Sequence, residues 1–236
     1  MELKQGNKEL LRLDVDGYSI REVNTRLREV LNAGGSAVVT NPRSKHNLGV
    51  ALEGGSVTFE GSVGYYCGGL NTGATIKVTR NAGWGIGEGM AQGYIEIAGH
   101  VGQGLGASLN GGTIVVRGDT AARAAVAQKG GDIIVGGSVG FLTGFMAQAG
   151  RLIVLGNSAD ALGDSLYAGN IYIAGHIGGL GLDAVVKEVT AAELDEIEEL
   201  VEANGFPLIK RDWKKVVAGQ KLWHFDKREA DAWLKI

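Results

Sequence analysis

The sequence predicts an all-β fold: a single-stranded parallel β-helix of about seven 19-residue coils, with a helix at either end. Three observations predict it: 40 glycines among 236 residues, a 19-residue repeat, and one short apolar strand in each repeat. A constant 19-residue step joins seven equivalent positions without an insertion or deletion. Two aliphatic columns result, Val57, Ile76, Ile95, Ile114, Ile133, Leu152 and Ile171, and Phe59, Val78, Ile97, Val116, Val135, Val154 and Ile173.

One such strand cannot bury its apolar side chains alone. Stacking every strand on its equivalent one coil earlier turns the two columns into a continuous core. Because parallel strands lie ~4.8 Å apart, seven coils make a stack ~34 Å tall. We therefore expect Ile95, Ile114 and Ile133 to be direct neighbours in space.

The glycines also fall into columns, which favours a role in the architecture over phosphate binding. We expect them where the chain turns sharply, adopts a positive φ or approaches the next coil closely. The segment Gly102–Ala107 fits a dinucleotide motif, but no helix follows it, and that motif requires one. The predicted turn glycines are Gly61, Gly99, Gly118, Gly137, Gly156 and Gly175, and a second column holds Gly68, Gly87, Gly106, Gly144 and Gly163.

The chain divides into three predicted regions. Residues 1–54 contain a helix, over 18–31, and a lead-in strand. Residues 55–185 form the β-helix. Residues 186–236 contain a second helix and a tail that holds three of the four tryptophans.

The helix starts and the tail carry their own signals. Ser19 with Glu22, and Thr190 with Glu193, have the spacing of a capping box. A solenoid has open strand edges that must be covered, so the tail either caps the stack or docks on another chain. Arg80 interrupts the glycine column and is either a surface residue or a partner contact. The candidate partner contacts are Arg80, Trp213, Trp223 and Trp233.

Composition argues against several classes of protein. The net charge of −3 gives no general attraction to nucleic acid or to an anionic membrane. A single cysteine, Cys67, cannot form a disulfide within the chain. No apolar run reaches the ~18 residues of a membrane-spanning helix, so we expect a cytoplasmic protein.

No catalytic, metal-binding or cofactor-binding group is predicted in this chain. Ser138 lies in a G-x-S-x-G pattern, but no helix follows it as a nucleophile elbow requires. His100 and His176 share a column four coils apart, ~19 Å, and cannot bind one metal. Glu88 and Asp164 are separated in the same way, too far for glycoside hydrolysis. Ser138 belongs to a polar column, Ser62, Asn81, His100, Asp119, Ser138, Asn157 and His176.

The repeat resembles the GXGXG domain of glutamate synthase over about residues 15–205. The segments that carry the resemblance are VTFEGSVGYYCGGLN, AARAAVAQKGGDIIVGGSVG and FMAQAGRLIVLG. The run GFMAQAGRLIVLGNSADALGDSLYAG is more similar to the GXGXG subunit of methylamine–glutamate N-methyltransferase, also called N-methylglutamate synthase. The family's GDHGCEYMTGG-like stretch reads GDSLYAGN here.

The resemblance implies a right-handed β-helix that carries no catalytic residue. It implies a scaffold that joins an amidotransferase-like subunit to a subunit with FMN and iron–sulfur clusters, in a hetero-oligomer. The expected reaction of the complex converts methylamine and L-glutamate into N-methyl-L-glutamate and ammonia. Two alternatives remain: a subunit of glutamate synthase, which uses glutamine and 2-oxoglutarate, and, more remotely, a β-helix enzyme acting on polysaccharide.

Overall fold

The computed structural model describes residues 10–222, which form an 11-stranded sheet and two α-helices. Strands β1 to β9 lie side by side in chain order and are parallel. The elements are β1 (Leu10–Asp14), a 3-10 turn (Val15–Gly17), α1 (Ile20–Asn32), β2 (Ser36–Thr40), β3 (Ser56–Glu60), β4 (Thr72–Val78), β5 (Gln92–Ile97), β6 (Thr113–Val116), β7 (Lys129–Val135), β8 (Ala149–Val154), β9 (Asn170–Ile173), β10 (Ala184–Lys187), α2 (Ala191–Ala203) and β11 (Lys214–Ala218).

The predicted parallel β-helix is confirmed, with its 19-residue register intact from β3 to β9. Ile95 lies opposite Ile114, and Ile114 lies opposite Ile133. All three side chains are fully buried, and each contributes roughly 1.5–3 kcal/mol through burial. A second parallel ladder, with one bridge per coil, runs along another side of the stack from Val63 to Ile177.

The outer face of the sheet changes character along the stack. Its central column is polar in β3 to β5, and apolar in β6 to β9. Helix α2 covers the apolar half, where its residues Ile197 and Val201 pack against the sheet. Trp213, from the segment after the helix, packs in the same cluster. The column reads Thr58, Lys77, Glu96, Val115, Ile134, Ile153 and Tyr172.

Helix α1 closes the first end of the stack. Its predicted capping box is present, since Ser19 accepts the Glu22 amide and Glu22 accepts the Ser19 amide. Leu27 and Leu31 are fully buried in the main core. The predicted lead-in strand is β2, and it pairs with β3. Strand β1, which no sequence pattern indicated, pairs with the other side of β2.

Strand β11 closes the last coil. It lies antiparallel between β9 and β10, and Val216 enters the main core opposite Ile171. Residues 186–236 were predicted as helix and tail only, so β11 and the end of β10 are additions to that description. Trp223 and Trp233 lie outside the described residues.

Candidate functional site

The polar column from Ser62 to His176 is a hydrogen-bond ladder between coils. The Ser138 amide donates to Asp119 Oδ1 at 2.7 Å, and Ser138 Oγ accepts the Asn157 amide at 3.0 Å. The same pattern links the other members of the column. Ser138 therefore holds the next coil in place and does not sit on a nucleophile elbow.

The histidine in this ladder is a structural acceptor. His100 Nδ1 accepts the Asp119 amide at 3.0 Å. The Asp119 carboxylate lies 3.3 Å from the same nitrogen. Among residues 10–222, no group of three or more His, Cys, Asp or Glu side chains could hold a metal ion.

The single cysteine has no nucleophilic character. Cys67 is 1% exposed in the main core. Burial raises the pKa of its thiol to about 12. The thiolate, which is the reactive form of cysteine, is therefore scarce at neutral pH.

One corner of the coil, which we name the close-packed corner, contains the glycine column from Gly61 to Gly175. A Cβ on Gly156 would lie 2.6 Å from the carbonyl carbon and oxygen of Gly137 in the coil below. The backbone amides of the same column are hydrogen-bonded, for example Gly137 to the Gly118 oxygen at 3.0 Å. Only Gly61 has a positive φ in this column. Its glycines therefore provide space between coils.

A second corner, which we name the alternating corner, has a different backbone. In every coil three alternate residues have positive φ, as at Gly85, Gly87 and Gly89. At the equivalent positions of other coils the residue is often not glycine, as at Arg123. The alternating corner consists of segments 46–51, 65–70, 84–89, 103–108, 122–127, 141–146 and 160–165.

The middle column of the alternating corner needs glycine for a second reason. A Cβ on Gly87 would lie 2.5 Å from Ile114 Cδ1, and a Cβ on Gly106 would lie equally close to Ile133 Cδ1. Ala125 is the exception in this column. The core residue equivalent to Ile114 and Ile133 in that coil is Leu152. A leucine, whose branch lies further from the backbone, thus accompanies the one alanine.

An aromatic ladder projects from the alternating corner. His46 and Tyr65 stack with ring centroids 4.3 Å apart, and Tyr65 and Trp84 stack at 5.0 Å. The ladder needs glycine beneath it, because a Cβ on Gly83 would lie 2.6 Å from Tyr65 Cδ1. A groove of about 370 Å³ runs between the ladder and the polar column.

The alternating corner carries the exposed apolar surface of the coils. Every large hydrophobic side chain that is exposed within residues 11–179 lies there: Tyr65, Tyr66, Leu70, Trp84 and Phe141. Exposed apolar groups that cluster in this way mark interaction surfaces on proteins. We therefore identify the alternating corner as the candidate functional site.

Charged side chains attach α2 to the opposite face. Arg117 binds the Glu96 carboxylate and donates to the Asn204 carbonyl at the end of α2. Lys215 binds Glu193, and this bond is the main reason that the pKa of Glu193 falls from 4.5 to about 2. Since the folded pKa is lowered, this stabilisation is complete above pH ~4.5 and is lost as the pH falls through the folded value.

The predicted partner residues fall in two places. Arg80 is exposed and lacks the positive φ that some turn positions need. Trp213 is 9% exposed and packs under α2 within this chain, and its indole N–H has no acceptor among residues 10–222. A partner contact at either residue stays a prediction, and Trp223 and Trp233 lie beyond the described part of the chain.

Neither helix of residues 10–222 has the length and apolar character needed to cross a membrane.

Comparison with known sequences gave a partial match. No protein-family model matches the chain. An 86-residue segment is 37% identical to Protein GlxC of Rhizobium meliloti (strain 1021) and covers 35% of this chain and 38% of GlxC. The alignment therefore spans less than half of that relative.

A solved structure shares the fold over most of the chain. It is a chain in the crystal structure of the formyltransferase/hydrolase complex FhcABCD from Methylorubrum extorquens, determined with methylofuran. The TM-score is 0.66, and the match covers 84% of this chain and 89% of that chain at 24% sequence identity. At this identity the likeness shows a common fold.

Sequence reasoning found the glycine columns but missed the aromatic ladder. His46, Tyr65 and Trp84 are themselves one 19-residue repeat apart, so the repeat contained the signal. The aromatic column occupies only three consecutive coils, and it is therefore less conspicuous than the aliphatic and glycine columns. The apolar half of the outer sheet column was a second overlooked signal, and it would have placed α2.

Proposed function

We propose that this chain is a non-catalytic scaffold subunit of a glutamate synthase-like complex, specifically of the N-methylglutamate synthase type. The complex would convert methylamine and L-glutamate into N-methyl-L-glutamate and ammonia. The amidotransferase-like subunit and the subunit with FMN and iron–sulfur clusters would be other chains, and this chain would hold no cofactor.

One observation carries the proposal: the polar side chains of catalytic type are used to join coils. Ser138, His100 and Asp119 each accept a backbone amide from the next coil. Structural similarity to a chain of a multi-subunit enzyme complex supports a role within an assembly.

Purification of the tagged chain from its native cell tests this proposal. We expect two further subunits to co-purify, with flavin and iron in the preparation but absent from the chain expressed alone. Methylamine and L-glutamate should yield N-methyl-L-glutamate. Turnover by the isolated chain, or a native chain without any partner, would refute a scaffold role. Glutamate formation from glutamine and 2-oxoglutarate instead would assign the complex to glutamate synthase.

A second candidate is a scaffold in a complex that transfers or hydrolyses formyl groups. The observation that favours it is the match over 84% of this chain to a chain of the formyltransferase/hydrolase complex. The same native preparation distinguishes the candidates, because formate release from a formylated carrier would favour this one.

A further inference from the structure

We propose that two copies of this chain associate through the alternating corner, about a two-fold axis at segment 103–108. The packing is antiparallel in the sense that the coils of the two copies are stacked in opposite directions. The surface involved, which we name the docking face, consists of the outward side chains of segments 65–70, 84–89, 103–108, 122–127 and 141–146. This inference does not depend on the proposed enzyme, since it concerns the chain by itself.

The docking face has the composition of an interface core. Its five segments contain 30 positions, and only Glu88 and Arg123 are charged, in a chain where 21% of residues are charged. All the large hydrophobic residues exposed within residues 11–179 lie on this face. Depletion of charge together with enrichment in Tyr, Trp and Phe distinguishes interface cores from ordinary surface.

The regular repeat determines which segments of the two copies face each other across a two-fold axis. An axis that lies in the interface, along the direction of the chain in a coil, reverses the order of coils and keeps the position within each coil. Segment 65–70 therefore meets 141–146 of the second copy. Segment 84–89 meets 122–127, and 103–108 meets itself.

The shapes of the facing segments are complementary. A hollow of about 210 Å³ lies over Gly69, between Tyr66, Leu70 and Glu88. In this arrangement the residue opposite Gly69 is Phe145 of the second copy, which is partly exposed in the single chain. An aromatic side chain thus faces a hollow that the absence of a Cβ at Gly69 helps to form.

The other large side chains also meet suitable partners. Trp84, with 49% of its surface exposed, faces Ala122 of the second copy. Alanine is the smallest side chain in this column. Tyr65 faces Phe141, which allows an aromatic pair. At the axis itself the exposed Gln103 meets Gln103 of the second copy, which allows an amide pair, and the neighbouring residues Gly104 and Ala107 are small.

The two charges decide between antiparallel and parallel packing. Glu88 and Arg123 have opposite sign and, among residues 10–222, neither side chain forms an ion pair or hydrogen bond. Antiparallel packing puts them in facing coils, three positions or at most ~10 Å apart along the chain, within reach of two long side chains. Parallel packing would place Glu88 near Glu88 and Arg123 near Arg123, which buries like charges and is costly.

The small size of the docking face favours a weak dimer. Five coils at ~4.8 Å spacing extend ~19 Å, so the face buries less than the ~800 Å² per partner of a standard interface. We therefore expect reversible dimers in the micromolar range rather than a permanent dimer.

Sedimentation velocity of the full chain across micromolar concentrations tests the proposal. Glu88→Arg or Arg123→Glu alone should weaken dimerisation at least ~30-fold, because each leaves like charges facing across the interface. The double exchange, Glu88→Arg with Arg123→Glu, should restore it. Arg21→Glu on helix α1 is the matched control: it reverses an exposed charge outside the docking face and should leave dimerisation unchanged.

The rescue by the double exchange separates this arrangement from all others. A chain that stays monomeric throughout the micromolar range, or a double exchange no better than either single variant, overturns the proposal. Far-UV circular dichroism of each variant checks that the β-helix is intact. Dimerisation can be absent while the native complex forms, and the complex can be absent while the chain dimerises. This test and the test of the proposed function therefore have separate outcomes.

Discussion

The close-packed corner and the alternating corner are both rich in glycine, but for different physical reasons. In the close-packed corner the backbone of one coil touches the next, and Gly156 has no room for a Cβ. In the alternating corner the outer positions require positive φ, and at Gly104 there is open space as well. Gly104 has φ +71°, and a Cβ added there would have no atom of another coil nearer than 3.8 Å.

This contrast predicts which substitutions each corner accepts. Positive φ costs a non-glycine residue ~1–2 kcal/mol, a penalty that the stack accepts at Arg123 and Leu142. A Cβ that meets the backbone of the neighbouring coil, as it would at Gly156, costs more, because relief requires the separation of two coils that hydrogen bonds hold together. The alternating corner can therefore carry different side chains in different coils, and these side chains are available for contacts with other molecules.

The largest expected effect is at Gly156 in the close-packed corner. Gly156→Ala should reduce the free energy of unfolding by about 3 kcal/mol, because the added Cβ meets Gly137 backbone atoms that cannot move independently. Urea unfolding followed by circular dichroism measures the loss. A loss below ~1 kcal/mol would mean that the coils can separate locally, and the distinction between the corners would fail.

An intermediate effect is expected at Leu152, which lies in the core above Ala125. Leu152→Ile should cost ~1–2 kcal/mol, because the isoleucine Cδ1 would occupy the space of the Ala125 Cβ. Adding Ala125→Gly should recover most of that loss, with a coupling energy of about 1 kcal/mol in a double-mutant cycle. Ile133→Leu above Gly106 is the control, and independent effects of the Leu152 and Ala125 substitutions would contradict this account of the middle column.

A smaller loss is expected at Gly104, where the backbone has positive φ and free space. Gly104→Ala should cost ~1 kcal/mol, about a third of the effect at Gly156. Unfolding of the two variants under the same conditions separates the cost of a positive φ, at Gly104, from the cost of a clash with the neighbouring coil, at Gly156. Equal losses would show that positive φ alone explains both corners.

The smallest effect, and the only gain, is expected at Ala51, the equivalent of Gly89 in the first coil. Ala51→Gly should stabilise the chain by ~0.5 kcal/mol, since relief of the positive φ slightly exceeds the entropy that glycine loses on folding. Thermal unfolding at matched concentration measures the change. Destabilisation by more than ~0.5 kcal/mol would mean that the Ala51 Cβ makes contacts that outweigh its strain.

The parts of the fold that the sequence could predict are those that repeat and those that depend on one short segment. The neighbours Ile95, Ile114 and Ile133 follow from a constant 19-residue step. Both capping boxes are local, and each was recognised from one short segment. Strand β11 was not predictable in this way, because its partners in β9 lie well before it in the chain, on the far side of α2, and its direction is reversed.

The candidate site was only partly predictable. The pattern of glycine and the depletion of charge are visible in the sequence, but the exposure of Trp84 and Phe141 is not. Both residues follow a glycine in the repeat and could equally have faced the core. Trp213 shows the opposite case, since a residue typical of interfaces is buried under α2.

The length of the coil, its aliphatic core and the positions that favour glycine could all be read from the amino-acid sequence. They follow from a repeat in which each residue's neighbours are its own equivalents, so local chemistry and tertiary contact coincide. Three-dimensional packing was needed to establish which glycines provide space and which provide positive φ, where α2 and β11 attach, and which side chains project from the alternating corner. Those features depend on contacts between segments that are distant in the chain and share no repeat.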